Sequence, residues 1–404
     1  MQKSTSNNPN PKDRRPENNC CVIYHSPVLI SISVQQAKKM KNYAIPSALF
    51  LCFAGVYMAI SVVHHNDYLF QPVWDVKHYL DISEIGYQVY PCTPGVEFPA
   101  GDICGNPGWY PMWPLVVRAF RPLAGGSSKV AFIGLTFLFG LLGFVLMYRF
   151  VEKHYDRRAS FINLLAIALG PASFYLLTGF PYALFMFLFA SFMLLLYSAS
   201  SKKREIVLFL TALAISLTYP TGILVAVTPL IYHLFGGNYL RPFLKPIKYW
   251  LRLFATLLPF ILGPLLLWTY FYFKFDNFFL QLDFQAKYGR ALTFPLYVMY
   301  KSLTLYPLLS PENATILWYG LIFLIFIPFG LKKELWILGL VMLLFSLSTG
   351  TTMSIYRHYL IIFPAYMIIA TSTRPLWLKL IYIAGGFVLS LAVLFPRFMA
   401  YRLI

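Results

Sequence analysis

Trp74, Asp75 and His78 stand close together in the stretch WDVKHYLDISEIGY, residues 74–87. Wound as a helix at about 100° per residue, this stretch sorts its side chains cleanly. Asp75, His78, Tyr79, Ile82 and Gly86 share one face, and Lys77, Asp81 and Glu84 share the other. Lys77 and Asp81 form an i,i+4 pair of the kind a solvated face carries, so Asp81 and Glu84 are expected at the surface. Asp75 is the acid that keeps apolar and aromatic company. A carboxylate in such a place is costly unless it has a task or a partner. The task would be general-base chemistry, taking a proton from a hydroxyl as its oxygen attacks an electrophilic carbon. The plainer alternative is that Asp75 caps the helix that begins there. Spacing alone leaves both open.

A phosphate-bearing substrate would need cations nearby, and arginine suits phosphate through charge and paired donors. Lys287, Arg290, Lys301 and Arg357 with His358 are the candidates; ordinary interfacial anchoring is the alternative for each. Asp276 and Asp283 are further acids, either lining a cleft or simply solvated. His64, His65 and His78 are poorly spaced to share one ion, and there is no Asp-x-Asp pair, so no metal site and no cofactor is expected. Cys92 and Cys104 flank CTPGVEFPAGDIC. They would pair as a disulfide if that loop faces an oxidising compartment, and would otherwise remain two thiols. Asn313-Ala314-Thr315 is a glycosylation sequon abutting an apolar run.

The elements that must position these residues are membrane helices. Of 404 residues, 58% are hydrophobic and only 12% charged, about half the charge of a soluble domain. Apolar runs recur at 44–63, 130–149, 160–178, 182–199, 206–220, 222–236, 254–275, 314–331, 335–349, 356–372 and 376–395, giving about eleven spans of an all-α polytopic fold. Pro171, Pro181, Pro220 and Pro259 predict kinks or broken ends. The net charge of +18 is scattered in short clusters between apolar runs, which suits anionic lipid headgroups and not nucleic acid. Lys38, Lys39 and Lys41, Lys153, Arg157 and Arg158, Lys202 to Arg204, and Lys332 and Lys333 favour an inside N-terminus. Residues 1–43 read as a disordered cytoplasmic tail, and no cleavable signal peptide is evident. Residues 44–404 form the membrane domain. Its two long outside loops, 64–129 and 274–313, are where function is expected; 291–309 reads as an interfacial or re-entrant helix.

The 74–87 stretch resembles the tryptophan–aspartate motif of the PIG-V-like mannosyltransferases, which are GT-C glycosyltransferases related to the second GPI mannosyltransferase. Trp74, Asp75, His78, Tyr79, Leu80, Ile82, Gly86 and Tyr87 carry the likeness. Tyr110, Pro111, Pro114 and Leu115 resemble an aromatic-Pro-x-x-Pro-Leu segment. Pro171, Ala172 and Ser173 match a Pro-Ala-Ser element, and Arg357, Tyr359, Leu360, Phe363 and Pro364 resemble a late Arg-Tyr-Leu…Phe-Pro element. Two departures stand out: Phe180-Pro181-Tyr182-Ala183-Leu184 lacks the family's glutamate, and Tyr219 to Gly222 lacks an arginine.

The resemblance implies a GT-C-like bundle with a polyprenyl-phosphate sugar donor and a lipid or glycan acceptor. Its active site would lie on the non-cytoplasmic side of a bacterial cytoplasmic or endoplasmic reticulum membrane. It implies Asp75 as base, supported by His78, with Trp74, Tyr79, Tyr87, Arg290, Arg357 and His358 at the substrate and Arg357 on the donor phosphate. The rival is a transporter or flippase of lipid-linked glycans. That would favour acids at mid-membrane and paired repeats, whereas here the acids gather in one loop and the spans carry almost none.

Overall fold

The computed structural model describes residues 27–64, 68–93, 102–235, 246–326 and 330–400. The chain divides into two units, Met1–Asn42 and Tyr43–Ile404. It is 76% helical, as a low-charge, high-aliphatic sequence in lipid requires, because a helix satisfies every backbone polar group within its own segment.

Helix α1 runs from Pro27 to Val63. Helical structure therefore begins well before the first apolar run, inside the segment expected to be a disordered tail. Then come α2 (Asp75–Ile85), a two-stranded antiparallel ribbon of β1 (Val89–Pro91) and β2 (Ile103–Gly105), and α3 (Met112–Phe120). The ribbon, in which Tyr90 faces Cys104, is a small exception within a mostly helical chain. The bundle continues through α4 (Ser128–His154), α5 (Arg157–Leu169), α6 (Tyr182–Leu196), α7 (Lys202–Ser216), α8 (Val227–Phe235) and α9 (Ile247–Phe275). It closes with α10 (Leu280–Lys287), α11 (Pro295–Leu305), α12 (Pro311–Ile325), α13 (Lys333–Leu347), α14 (Ile355–Leu360), α15 (Phe363–Thr371), α16 (Leu376–Val388) and α17 (Phe395–Met399).

Among the described residues, four helices are long and apolar enough to cross a bilayer: Tyr43–Val63, Ser128–His154, Ile247–Phe275 and Leu376–Met399. The last joins α16 to α17 through a π-helical turn, Leu389–Leu394. Several expected spans are instead broken. The 160–178 run is α5 followed by a 3-10 turn, Ser173–Leu176. The 356–372 run is the short pair α14 and α15. Pro171, Pro181 and Pro220 lie at such breaks, while Pro259 sits inside the continuous α9. The 291–309 segment contains α11.

Lipid is as apolar as leucine, so helices in a bilayer are held by close packing and not by hydrophobic transfer. Glycines permit that closeness. A Cβ on Gly143 of α4 would stand 2.6 Å from the Met186 side chain of α6, and one on Gly263 of α9 would stand 2.0 Å from Ser216 Oγ of α7. Polar ties supplement the packing. The Tyr57 hydroxyl of α1 is hydrogen-bonded to Ser173 Oγ at 3.1 Å and Ser390 Oγ at 2.9 Å. It thereby links the first helix to the turn after α5 and to the π-helical turn. Asn313 is fully buried, and its amide donates to the Ser302, Tyr306 and Pro307 carbonyls. The sequon asparagine is thus a structural plug between α11 and α12.

Candidate functional site

Helix α2 is fixed at both ends. At its start, Trp74 has φ +48°, a region a bulky L-residue rarely enters and which costs about 1–3 kcal/mol. Its ring packs on Phe398 of α17 at 5.1 Å between centroids. At its end, Arg118 of α3 donates from Nε to the Ser83 carbonyl (2.7 Å) and from Nη2 to the Ile82 carbonyl (3.1 Å). A guanidinium there satisfies orphan carbonyls and complements the helix dipole. Between these anchors Val76, Tyr79, Ile82 and Ser83 are buried, and Lys77 and Glu84 are exposed.

Asp75 is the first residue of α2, after Trp74 in the N-cap position, and among the described residues its carboxylate accepts no hydrogen bond from the helix's own N–H groups. Its Oδ2 instead accepts from Arg357 Nη1 at 2.9 Å. The carboxylate is about one third exposed, at 35%, while the Arg357 side chain is 9% exposed. Among the described residues, Asp75 Oδ1 accepts no hydrogen bond. Arg357 also donates from Nη2 to Ser354 Oγ at 2.6 Å, and its guanidinium lies 5.1 Å from the Phe180 ring centroid and 5.9 Å from that of Tyr175. Aromatic faces, a hydroxyl and a carboxylate together suit a planar buried cation. Ser354, which precedes α14, has φ +61°. The two members of the ion pair therefore each follow a strained backbone turn, and strain of this kind gathers at functional sites.

The pair opens onto a cleft of about 100 Å³. Asp75 and Tyr79 come to it from α2, and Gly108, Trp109 and Tyr110 from the segment after β2. Tyr219 and Pro220 come from between α7 and α8, Gln285, Tyr288 and Arg290 from α10 and beyond, and Met353, Ser354, Arg357 and His358 from around α14. The two long interhelical segments meet here. Arg290 donates from Nη1 to Gln285 Oε1 at 2.6 Å and stands 3.5 Å from His358 Nε2 through Nη2. The other ring nitrogen of His358, Nδ1, shares a 2.7 Å hydrogen bond with the Tyr219 hydroxyl. Gln285 Nε2 donates to the Gly108 carbonyl at 2.9 Å, closing the network across the cleft. Among the described residues, ion pairs join Arg204 to Glu205 and Arg357 to Asp75; Arg290 enters neither. Burial raises the Tyr79 phenol well above its ordinary pKa and pushes Tyr110 up to about 12, so both stay protonated donors at neutral pH.

Asp75, Tyr79, Arg290, Arg357 and His358 are thus brought together. Trp74, His78 and Tyr87 are not on the cleft wall. His78 stacks on Trp109 at 3.7 Å, with 21° between the rings, because the segment after β2 folds over that part of α2. Tyr87 donates its hydroxyl to the Trp109 carbonyl at 2.6 Å, and Lys274 Nζ donates to the Tyr87 carbonyl at 2.7 Å. These bonds lock the lobe and hold Trp109, which lines the cleft. Asp81 is half-buried, and that burial, opposed by Lys77 and His78, raises its pKa, so the polar face of α2 is less solvated than its pattern suggests. Asp276 caps α9 in a left-handed conformation, and Asp283 accepts from Asn277; neither lines the cleft. Cys92 and Cys104 form a disulfide across the ribbon, with Cα atoms 4.8 Å apart. Tyr219, Gln285 and Tyr288 carry no local sequence signal, since only folding brings them to Asp75. Among the described residues, no group of three His, Cys, Asp or Glu could hold a metal. Comparison with protein-family models, curated proteins and solved structures found no match.

Proposed function

We propose that the chain is a membrane hexosyltransferase of GT-C type, moving mannose or a similar sugar from a polyprenyl-phosphate donor to a lipid-linked or glycan acceptor. The observation that carries this reading is the Asp75–Arg357 pair on a cleft that also holds Arg290. One carboxylate oxygen is held by the arginine and the other is uncommitted, which is the arrangement a general base needs.

In this mechanism Asp75 Oδ1 takes the proton of the acceptor hydroxyl. The acceptor oxygen forms its bond to the anomeric carbon from the face opposite the phosphate. The bond between that carbon and the phosphate oxygen breaks, its electron pair leaves on the polyprenyl phosphate, and the configuration inverts. Arg357, which the resemblance would place on the donor phosphate, is engaged with Asp75 and acts here as its positioning partner. The phosphate falls instead to Arg290, a cation with no carboxylate partner among the described residues. The eleven-span arrangement with an inside N-terminus, and the cleft at the outer face, belong to the same proposal.

The test is transfer from labelled polyprenyl-phosphate mannose to a panel of acceptors by the purified chain. Asp75→Asn keeps the side chain's size and should lose about 10²- to 10⁴-fold in rate, as general-base loss does. Glu84→Gln, exposed on the far face, should stay within about twofold. Near-normal turnover in Asp75→Asn would remove the base from this mechanism.

A further inference from the structure

A second cavity lies away from the cleft. It has a volume of about 540 Å³ and is lined by the start of α5, the end of α15 and the start of α16. Helix α15 separates the two: α14, just before it, supplies Arg357 to the cleft, and Thr371 at its far end lines this cavity. That helix is about 13 Å long at 1.5 Å per residue.

The lining is basic. Arg158, Arg374 and Lys379 face Asp156 as the lone acid among the lining residues, and that acid is engaged in capping α5, accepting from the Ala159 N–H at 2.6 Å. Lys379 is buried, at 7% exposure. Its ammonium donates to the Ala370 and Ser372 carbonyls at 2.8 and 2.7 Å, which leaves one of its three donors uncommitted. No carboxylate among the described residues lies within ion-pair distance of it. A buried cation with no directly paired counter-charge is costly, and an anion in the cavity would supply one. Arg158 is exposed and makes no hydrogen bond or ion pair among the described residues. Helix α16 begins at Pro375 with no side-chain cap, so its first N–H groups also face an anion favourably.

We propose that this cavity is a phosphate-binding site, separate from the cleft, that takes a phosphate monoester or diester. A phosphate brings one negative charge as a diester or up to two as a monoester to three cations offset only by Asp156, and enough acceptor oxygens for the arginine forks, the lysine donor and the helix end together. The source is either an anionic phospholipid headgroup entering from the bilayer or a soluble phosphate.

The test uses the purified full chain. Binding of short-chain phosphatidic acid, the matching diacylglycerol and inorganic phosphate is followed by native mass spectrometry and thermal shift. Phosphatidic acid or inorganic phosphate should bind and diacylglycerol should not. Binding of phosphatidic acid alone assigns the site to a lipid headgroup; binding of both, or of inorganic phosphate alone, assigns it to phosphate as such. Arg158→Gln should weaken binding about tenfold, the size of one charge-assisted contact, and Arg158→Lys should restore part of it. Because Arg158 holds nothing else in place, these variants should keep the parent's melting temperature without ligand. Lys202→Gln with Lys203→Gln, a basic pair outside the cavity, should change binding by less than twofold. Absence of binding, or an equal loss in the Lys202 and Lys203 variant, overturns the proposal.

Discussion

Asp75 and Asp81 sit on one short helix and meet different surroundings. The 100° rule separates them, because it depends only on where α2 turns its apolar face. It fails for His78, whose neighbour Trp109 arrives from 31 residues further along the chain and covers a ring the rule leaves open. Arg357 was recognisable as a useful cation, but its partner was not: a contact across 282 residues leaves no local pattern. Arg290 is the residue to which the proposed mechanism gives the phosphate. Its side chain is tethered through Gln285 and His358 with no acid to compete for it. Arg290→Gln should raise KM for a polyprenyl-phosphate donor about tenfold or more, with a smaller change in kcat, since it removes a contact made to the phosphate before and during transfer. Steady-state kinetics on reconstituted protein separate the two constants. An unchanged KM would return the phosphate to another cation.

At the scale of elements, the four long apolar helices were legible because length and composition are enough to find a span. The break at residues 170–173 was foreshadowed by Pro171, but the conformation there was not, and the break at 361–363 fell inside an expected span. Ala172 takes φ +60° because its neighbours hold it there. Gly222 shows the same dependence on packing. A Cβ there would stand 2.2 Å from the Ile215 carbonyl oxygen, and backbone cannot swing aside as a side chain can. Gly222→Ala should therefore sharply reduce the folded yield after detergent extraction, measured by size-exclusion chromatography. Normal yield would mean the turn between α7 and α8 can open. The ribbon of β1 and β2 makes a separate prediction. Closing a loop of 12 residues stabilises a lobe by roughly 3 kcal/mol in the chain-entropy model. Replacing Cys92 and Cys104 together by serine should make the 89–105 segment a preferred site of limited proteolysis while leaving the helices intact. Unchanged protease resistance would assign the lobe's order to Tyr87 and Asn106 instead.

At the scale of the whole molecule, the charge clusters and the cleft make opposite demands on the membrane. The Lys202 to Arg204 cluster opens α7, while Asp75 opens α2. In the proposed topology these lie on different sides. Cysteine labelling with an impermeant maleimide, in a background with Cys20, Cys21 and Cys52 replaced, should reach a probe at Lys77 from one side and a probe at Lys203 from the other. Labelling of both from the same side would overturn that topology. The arrangement also has a temporal meaning. The carboxylate emerges from the ribosome 282 residues before the arginine that holds it; at about 5–20 residues per second, that is an interval of roughly 14–56 s. For that time the nascent chain carries an unpartnered acid through membrane insertion. A ribosome that stops between Asp75 and the fourteenth helix leaves a fragment that has the aspartate and lacks its guanidinium. Under the proposed mechanism, no fragment released before Arg357 is made could transfer sugar on its own.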